Sequence, residues 1–522
     1  MDRPSSVTIE DAGNHVKAFT SYGYDETIPT TTMGTPEHVS ITGSRGNLTT
    51  ITTSTSSTAS LSKTFTYYDT GNPNVATDVN GAQAQTTYVY GSGSCGNSFA
   101  TTINEPMSLS RSIVWNCVGG VATQLTDENG KIVTRSYTDP NFWRPASVTD
   151  QLPATTTFDY SPTAVDSYLT FNNSQSVTET GIGFDGLGRP IVTNHRQAPN
   201  SPNWDTYPRS YDTNGRLSQV YMPCSTSAWT CSTPYTSITY DALNRPRVTT
   251  DSVGGTNPGG TITRTYSQND VLVTLGPAPA GENAKQKQYE HDGLGRLTSV
   301  CEILASGGTD CGQHAAASGY KTSYAYSVPA AGGSQMVVTQ GTQTRTYVYD
   351  ELGRLISETN PESGATNYFY DIDATCGTSK GNLVKRVDAL NNVTCYQYDA
   401  LHRLTAVTYP SGPYASNTAS KSFVYDSTTF SCPNGSNVTG RLAEAFTGPS
   451  TAKITDLAFC YSPRGETTDV YESTPHSGGY YDVTASYWAN GSLDTLKGVS
   501  LPTITYGLDG EGRPITVSAS SE

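Results

Sequence analysis

The amino-acid sequence predicts an all-β protein: an array of many β-hairpins that forms one continuous curved sheet. Composition is the first reason, because 34 Tyr far outnumber 12 Phe and 5 Trp, and charged residues make up only 15%. Tyr and Thr suit a pleated surface, whereas Gly and Asn suit chain reversals. The other two reasons are short Thr- and Tyr-rich runs separated by turn residues, and the lack of helical periodicity.

The charge balance and the hydropathy pattern exclude some classes of function. The chain carries 31 basic and 46 acidic residues, a net charge of −15. Nucleic-acid binding needs clustered Lys and Arg, so no nucleic-acid partner is expected. The sequence contains no apolar run of about 18 residues, so no transmembrane segment is predicted. Its first residues also lack the apolar core of a signal peptide.

One short motif recurs: an aromatic residue, Asp, two variable residues, Gly or Asn, Arg, and then Leu or Pro. Sharp copies begin at Tyr349 and His291, and degenerate copies begin at Tyr137, Tyr461 and Leu508. The residues that define the clear copies are Asp185, Gly188, Arg189, Asp212, Gly215, Arg216, Asp241, Arg245, Asp292, Gly295, Arg296, Tyr349, Asp350, Gly353, Arg354, Tyr398, Asp399 and Arg403.

Each copy of the motif predicts a strand, a turn and a returning strand. The Asp is expected to accept backbone N–H groups within the turn, and the Gly to supply a positive φ. The Arg is expected to bridge to a carboxylate on a neighbouring unit. Repetition this frequent is typical of a scaffold, so we predict a structural role for these residues rather than ligand recognition.

A second kind of turn alternates with the motif, at residues 78–81, 127–130, 361–364 and 388–392. Long gaps between motif copies are expected to hold extra strands and loops rich in Gly, Ser and Pro. The Ser- and Thr-rich stretch 49–62 is expected to be a loop.

The ten cysteines fall into five neighbouring pairs. A hairpin can bring such a pair within the Cα separation of about 4.4–6.8 Å that a disulfide needs. The spacing lacks the signature of a structural zinc site. An even count and local pairing favour disulfides in an oxidising compartment over free thiols in a cytosolic protein. The predicted pairs are Cys95 with Cys117, Cys224 with Cys231, Cys301 with Cys311, Cys376 with Cys395, and Cys432 with Cys460.

The repeated YDxxGRL units, with intervening PxGxxTxYxYD segments, resemble the YD repeats of Rhs proteins, which also occur in Tc toxin C components and in teneurins. The resemblance implies a long β-sheet that spirals, like a solenoid, into a hollow shell, often around a C-terminal toxic polypeptide, with the shell incomplete in this chain. It also implies one continuous array, with divergent repeats at 1–180, the clearest repeats at 181–410 and degenerate repeats at 411–522. The Rhs-associated core and effector that usually follow are not recognisable, so an internal or truncated piece of a larger shell is expected.

The motifs of common catalytic and nucleotide-binding sites do not occur, so no catalytic residue, cofactor or metal is predicted. Residues 127–130 and 371–373 faintly resemble calcium loops, but they lack the Glu at the twelfth position, so plain turns are favoured. The seven His are scattered, and a structural role is favoured for the two within motif copies, His291 and His402. Packing is favoured over sugar stacking for the five Trp, which are Trp115, Trp143, Trp204, Trp229 and Trp488.

The expected function is therefore structural: a non-catalytic shell segment that encloses or displays a toxin-type polypeptide, or that interacts with a cell surface. The expected partner is a polypeptide cargo, or a protein or carbohydrate ligand on a surface. The alternatives are a carbohydrate-binding repeat protein and, less favoured, a β-solenoid enzyme that degrades polysaccharides. The expected location is secreted or at the cell surface, as part of a larger exported protein.

Overall fold

A computed structural model of the chain describes most of its 522 residues. The described residues are 3–11, 13–14, 16–32, 38–39, 43–56, 59–91, 95–138, 142–232, 234–252, 258–304, 319–329, 332–433 and 435–520. They form 40 strands and three short 3-10 turns. No helix among them is long and apolar enough to cross a membrane.

The first twenty strands alternate with two of the 3-10 turns, Gly81–Gln83 and Pro106–Ser108. These strands are β1 (Ser6–Glu10), β2 (Val16–Tyr24), β3 (Leu48–Ser56), β4 (Ala59–Tyr67), β5 (Pro73–Thr77), β6 (Gln85–Tyr90), β7 (Ala100–Asn104), β8 (Ser110–Asn116), β9 (Val121–Thr126), β10 (Ile132–Ser136), β11 (Ser147–Thr149), β12 (Thr155–Tyr160), β13 (Ala164–Phe171), β14 (Ser176–Phe184), β15 (Pro190–Arg196), β16 (Trp204–Tyr211), β17 (Leu217–Tyr221), β18 (Cys224–Thr226), β19 (Tyr235–Tyr240) and β20 (Pro246–Ser252).

The second twenty strands contain the third 3-10 turn, Ala415–Asn417. These strands are β21 (Pro258–Ser267), β22 (Asp270–Gly276), β23 (Lys285–His291), β24 (Leu297–Ile303), β25 (Gly319–Ser327), β26 (Ser334–Gln340), β27 (Gln343–Tyr349), β28 (Leu355–Asn360), β29 (Gly364–Asp373), β30 (Gly377–Val387), β31 (Val393–Tyr398), β32 (Leu404–Ser411), β33 (Lys421–Tyr425), β34 (Leu442–Thr447), β35 (Thr455–Tyr461), β36 (Thr467–Ser473), β37 (Tyr481–Tyr487), β38 (Leu493–Gly498), β39 (Ile504–Leu508) and β40 (Pro514–Ala519).

All 40 strands belong to one open antiparallel sheet, in which almost every strand pairs with its neighbours in sequence. The pattern is a long meander, so the all-β prediction is confirmed. The long gaps between motif copies do hold extra strands. One extra hairpin, β21–β22, lies between the turns at Asp241 and Asp292, and another, β25–β26, lies between those at Asp292 and Asp350.

The meander has one fork, at β16. The first half of β16 pairs with the short strand β18, and its second half pairs with β17. Strand β17 then pairs directly with β19, so β18 stands outside the main meander. The loop that carries β18 is fastened by the Cys224–Cys231 disulfide.

The prediction of a loop over residues 49–62 is wrong. Strands β3 and β4 occupy most of this stretch and pair with each other, for example Thr52 with Ser62 and Thr53 with Leu61. The hydroxyl groups of Thr52 and Ser62 are hydrogen bonded at 2.8 Å. The Ser- and Thr-rich composition alone suggests a loop. Thr is β-branched, however, and favours the pleated conformation when a partner strand is available.

Because successive strands run in opposite directions, alternate turns lie on the same edge of the sheet. With β18 outside the meander, the turns at Asp185, Asp212, Asp241, Asp292 and Asp350 all fall on one edge, as do the later copies of the motif. We call this the YD edge. The second kind of turn, at 78–81, 127–130, 361–364 and 388–392, falls on the opposite edge, which we call the return edge.

The sheet coils back onto itself. Hydrogen bonds join residues that are 300 to 333 positions apart, from Asn80 with Lys380 to Ser176 with Asp509. In every such contact the return edge of residues 11–205, the first coil, meets the YD edge of residues 329–513, the second coil. We call this contact the seam. Apolar side chains are buried along it, namely Val79, Phe171, Val177 and Val438.

Candidate functional site: the repeated turns and the seam

The Asp of each motif fastens its own turn. In the copy at Asp350, one carboxylate oxygen accepts the backbone N–H of Leu352 at 3.0 Å and that of Arg354 at 2.9 Å. The other oxygen accepts the Arg354 Nε–H at 2.7 Å. The same three contacts occur at Asp185, Asp212, Asp241, Asp292, Asp399 and Asp509.

The fourth residue of the turn adopts a left-handed conformation. Gly353 has φ +75° and donates its N–H to the carbonyl of Asp350 at 3.0 Å. Asn244 and His402 hold the same position with φ +64° and +60°. Gly tolerates this region without strain, and Asn and His are the side chains most often found there after Gly. The variation between Gly, Asn and His in the motif therefore has a backbone cause.

A ladder of Arg and Tyr connects each motif to the next. The Arg354 guanidinium lies over the Tyr370 ring at 4.4 Å, and the Tyr370 hydroxyl donates to the carbonyl of Leu355 at 3.0 Å. Both halves of this contact recur in six further Arg–Tyr pairs, with ring distances of 4.0 to 4.5 Å. These pairs are Arg144–Tyr160, Arg189–Tyr211, Arg216–Tyr240, Arg245–Tyr266, Arg296–Tyr326 and Arg403–Tyr425.

The ladder differs in part from what the sequence predicts. Arg354 does reach the next carboxylate, Asp371, with two hydrogen bonds of 3.2 and 3.0 Å, and Arg403 reaches Asp426 in the same way. The interaction shared by the other copies is the stacking on Tyr, which the sequence analysis missed. The signal was present, since an aromatic residue precedes the Asp in every clear copy of the motif.

The hydrogen bonds of the turn also set its electrostatics. The pKa values of Asp185, Asp212, Asp241 and Asp292 are lowered, first by the backbone N–H of the Arg four residues later and then by the Arg side chain. The Asp426 hydrogen bond is the main reason why the pKa of Arg403 is raised. These carboxylates and guanidinium groups therefore stay charged at neutral pH.

Four of the five predicted cysteine pairs are joined in the structure. Their Cα separations are 5.1 Å for Cys95–Cys117, 6.1 Å for Cys224–Cys231, 5.1 Å for Cys376–Cys395 and 5.7 Å for Cys432–Cys460. Cys301 is fully buried in β24, whereas its predicted partner Cys311 lies outside the described residues. The bridges fasten loops and hairpins to neighbouring strands of the sheet.

Packing contacts account for the Trp side chains. Trp115 stacks on Phe99 at 4.8 Å, and Trp204 meets Trp229 edge-on at 5.4 Å. Trp143 lies against Gly119, where a β-carbon would overlap its ring, and Trp488 donates to the carbonyl of Tyr506 at 3.4 Å. Of the two motif histidines, His402 contacts Asp78 across the seam at 3.2 Å, and His291 contacts the Asn269 carbonyl at 3.0 Å.

Polar contacts give the seam its register. Asn129 exchanges two hydrogen bonds with Thr439, of 2.9 and 3.0 Å. Arg464 forms an ion pair with Asp150, with 2.7 Å between Nε and Oδ2. The buried Ser176 hydroxyl donates to the Asp509 carbonyl at 2.8 Å. In each case a return-edge residue of the first coil meets a YD-edge turn of the second coil.

The calcium-like turns have protein partners instead of an open set of oxygen ligands. Asp371 accepts Arg354, and Asp373 accepts Lys385 at 3.0 Å. Asp127 accepts the backbone N–H groups of Asn129 and Lys131. The described part of the chain contains no group of three His, Cys, Asp or Glu side chains placed to hold a metal ion.

Comparison with known proteins agrees with this geometry. The RHS repeat family matches residues 378–414, which span the turns at Asp388 and Asp399. No curated protein matches the sequence. The class defined by the fold is an Rhs-type sheet of the kind seen in Tc toxin components.

Three similar solved structures are Tc toxin assemblies. TcdB2-TccC3 has a TM-score of 0.68 at 11% identity, over 98% of this chain and 29% of that chain. TcdB2-TccC3 without its hypervariable C-terminal region has a TM-score of 0.55 at 10% identity, over 97% and 36%. The Photorhabdus luminescens Tc holotoxin pore has a TM-score of 0.51 at 11% identity, over 98% and 34%. The chain thus spans about a third of the length of these structures, and the repeat match and the fold together confirm the resemblance to the Rhs/YD-repeat family.

Proposed function

We propose that this chain is a non-catalytic wall segment of an exported Rhs-type shell, and that the wall encloses or displays a polypeptide. The observation that carries the proposal is the seam. Because the turns of one coil bind the next coil, the sheet builds a continuous surface. A sheet that did not coil back onto itself would leave both of its edges open along their whole length.

The chemistry of the described residues supports a structural role. The motif carboxylates are held by their own turns, and the motif Arg side chains are held by those carboxylates and by the Tyr rings. Surface grooves of 400 to 690 Å³ occur among the described residues, and one of them lies on the seam, between Asn80 and Lys380. Charged groups that are fully engaged in packing have little freedom to act as acids, bases or nucleophiles.

The partners in the similar structures suggest the kind of cargo. Those structures are named as assemblies of Tc toxin proteins. By analogy, a polypeptide is the expected cargo here, and an extracellular location is the expected setting. Disulfides fit that setting because they persist in oxidising compartments.

Protease protection tests the proposal. An unstructured, protease-sensitive reporter peptide is joined after Glu522, and its cleavage rate is compared with that of the same peptide free in solution. Enclosure predicts cleavage at least roughly tenfold slower, because a protease must wait for the wall to open. A second fusion, carrying Arg464→Glu against Asp150, should lose this protection because like charges then meet at the seam.

Equal cleavage of the fused and the free peptide would overturn enclosure. Retention of the chain on a glycan array, lost in Trp143→Ala or Trp488→Ala, would instead favour the carbohydrate-binding alternative. Melting temperatures of all variants are measured alongside, so that loss of protection is not confused with unfolding.

A further inference from the structure

The YD edge of the chain's earlier part carries a row of apolar residues at the tips of its turns. Leu187, Leu243 and Leu294 are the third residues of their motif turns, counted from the Asp, and they are 80%, 71% and 80% exposed. Ile28 and Val118 lie at turns further back on the same edge and are 95% and 89% exposed. Isolated exposed Leu residues are common on protein surfaces, but a row of them on one edge is a candidate contact surface.

The seam shows what the third residue of the motif turn does when an edge is docked. In two turns of the second coil this residue is Arg464 or Glu511, and both side chains are only 14% exposed. Arg464 reaches Asp150 on the first coil, and the neighbouring turn residue Gly510 accepts a hydrogen bond from Val177. The tip of the motif turn is therefore the docking point of this edge. Its residues are covered where a return edge lies against them.

The chain also offers a return edge with exposed apolar tips. In the second coil, Leu390 and Tyr414 lie on return-edge turns and are each 73% exposed, and Leu501 is 62% exposed. The turn at Leu390 has the same construction as a turn of the first coil that forms the seam. Asp388 accepts the N–H groups of Leu390 and Asn392, just as Asp127 accepts those of Asn129 and Lys131.

We propose that the YD edge from Asp185 to Arg296 binds the return edge of the second coil of another copy of this chain. The contact continues the seam: a return edge lies against a YD edge, with Leu187, Leu243 and Leu294 as the apolar anchors. This inference is independent of any cargo and goes beyond the wall role proposed above.

The expected contact is small and does not close. Five turns on the YD edge lie between Asp185 and Arg296, and each hairpin advances the edge by roughly 10 Å, so the row is about 40 Å long. An edge one sheet thick then buries well below the roughly 1,600 Å² of a standard interface, so weak binding is expected. The two surfaces differ, so the association is head-to-tail and can add further copies as concentration rises.

Sedimentation velocity over a concentration series tests the proposal with the full chain. The wild type should show species that grow with concentration. The triple variant Leu187→Ser, Leu243→Ser, Leu294→Ser should need at least roughly tenfold more protein for the same association, because the burial of three Leu side chains no longer stabilises the contact. All three positions are exposed in the single chain, so its melting temperature should stay close to that of the wild type.

A matched control separates this contact from pairing between strand edges. Ile515 and Val517 on the terminal strand β40 are 64% and 69% exposed, and an open strand is itself able to pair. The double variant Ile515→Ser, Val517→Ser should associate like the wild type. Three outcomes would overturn the proposal: a wild type that stays monomeric throughout, association lost in the β40 variant but kept in the triple variant, or association lost equally in both.

Discussion

Two stretches of the YD edge are built from the same turn but have different surroundings. In the free stretch, at Asp292, and in the seam, at Asp509, the Asp carboxylate accepts the same two backbone N–H groups and the same Arg Nε–H. The tip residue differs: Leu294 is largely exposed, whereas Glu511 is covered by the first coil. The hydrogen bonds of the turn thus form without docking. The docked and free turns differ only in the residue at the tip and in its surroundings.

The difference separates two kinds of interaction. The Asp, Gly and Arg of the motif specify a local shape that forms wherever the motif occurs. The seam instead depends on residues that lie 300 or more positions apart, such as Asn80 and Lys380. Local fastening should therefore survive mutation of the seam, and the seam should fail first when the chain is destabilised.

The largest effect is expected for Phe171, which is 7% exposed and lies so close to Gly512 that a β-carbon there would be 2.7 Å from the ring. Phe171→Ala should lower the free energy of unfolding by about 3–5 kcal/mol, because the variant leaves a cavity in the seam. The matched control Leu294→Ala, on the free edge, should change it by less than about 0.5 kcal/mol. Urea denaturation followed by Tyr and Trp fluorescence measures both. Equal losses would mean that the two edges are energetically alike.

A smaller effect is expected for the ion pair between Arg464 and Asp150. The side chains are 14% and 27% exposed, so solvent screens the pair only in part. Arg464→Gln should cost about 1 kcal/mol, mainly because Asp150 loses a charged hydrogen-bond donor. Arg111 provides the control, since its side chain is 47% exposed and pairs at 2.7 Å with both Glu105 and Glu128. Arg111→Gln should cost less than about 0.5 kcal/mol in the same denaturation experiment. A larger loss for Arg111 would contradict the assignment.

The smallest effect concerns the pH dependence of two acidic residues on the same edge. Hydrogen bonds from Arg296 lower the pKa of Asp292 below its ordinary 3.8, whereas burial raises the pKa of Glu511 above its ordinary 4.5. Asp292 therefore stabilises the fold above pH 3.8, and this contribution is lost as the pH falls through its lowered pKa. The sign for Glu511 is opposite: its contribution is present below pH 4.5 and is lost as the pH rises through its raised pKa.

Two variants test these opposite pH dependences, and the urea midpoint of unfolding is measured for each at about pH 7 and about pH 3. Asp292→Asn should lower the midpoint at neutral pH, and its difference from the wild type should shrink in acid. Glu511→Gln should leave the neutral midpoint unchanged or raise it. The same sign of change for both variants at neutral pH would contradict the opposite directions of the two pKa shifts.

Sequence reasoning succeeded where the structure is local. The motif predicted its turn, including the carboxylate of Asp350 on backbone N–H groups, and neighbouring cysteines predicted the bridges, because both depend on residues close in sequence. It failed over 49–62, where composition suggested a loop and a partner strand decided otherwise. It also did not predict the fork at β16, because a strand whose two halves pair with different strands leaves no local sequence pattern. The seam could not be predicted either, because the spacing between coils depends on the accumulated twist of many strands.

The alternation of the two edges imposes a counting rule on this chain. Every added strand sends the following turns to the opposite edge, so a single insertion in the meander would place all later motif turns on the return edge and disable the seam. Insertion of a whole hairpin, which adds two strands, leaves the later motif turns on the YD edge. The extra hairpins β21–β22 and β25–β26 obey this rule, and the lone strand β18 escapes it by leaving the meander at the fork. The motif is unevenly spaced along the sequence, yet all of its copies lie on one edge of the sheet. This is possible because the number of meander strands between successive copies is always even, whereas the number of residues varies.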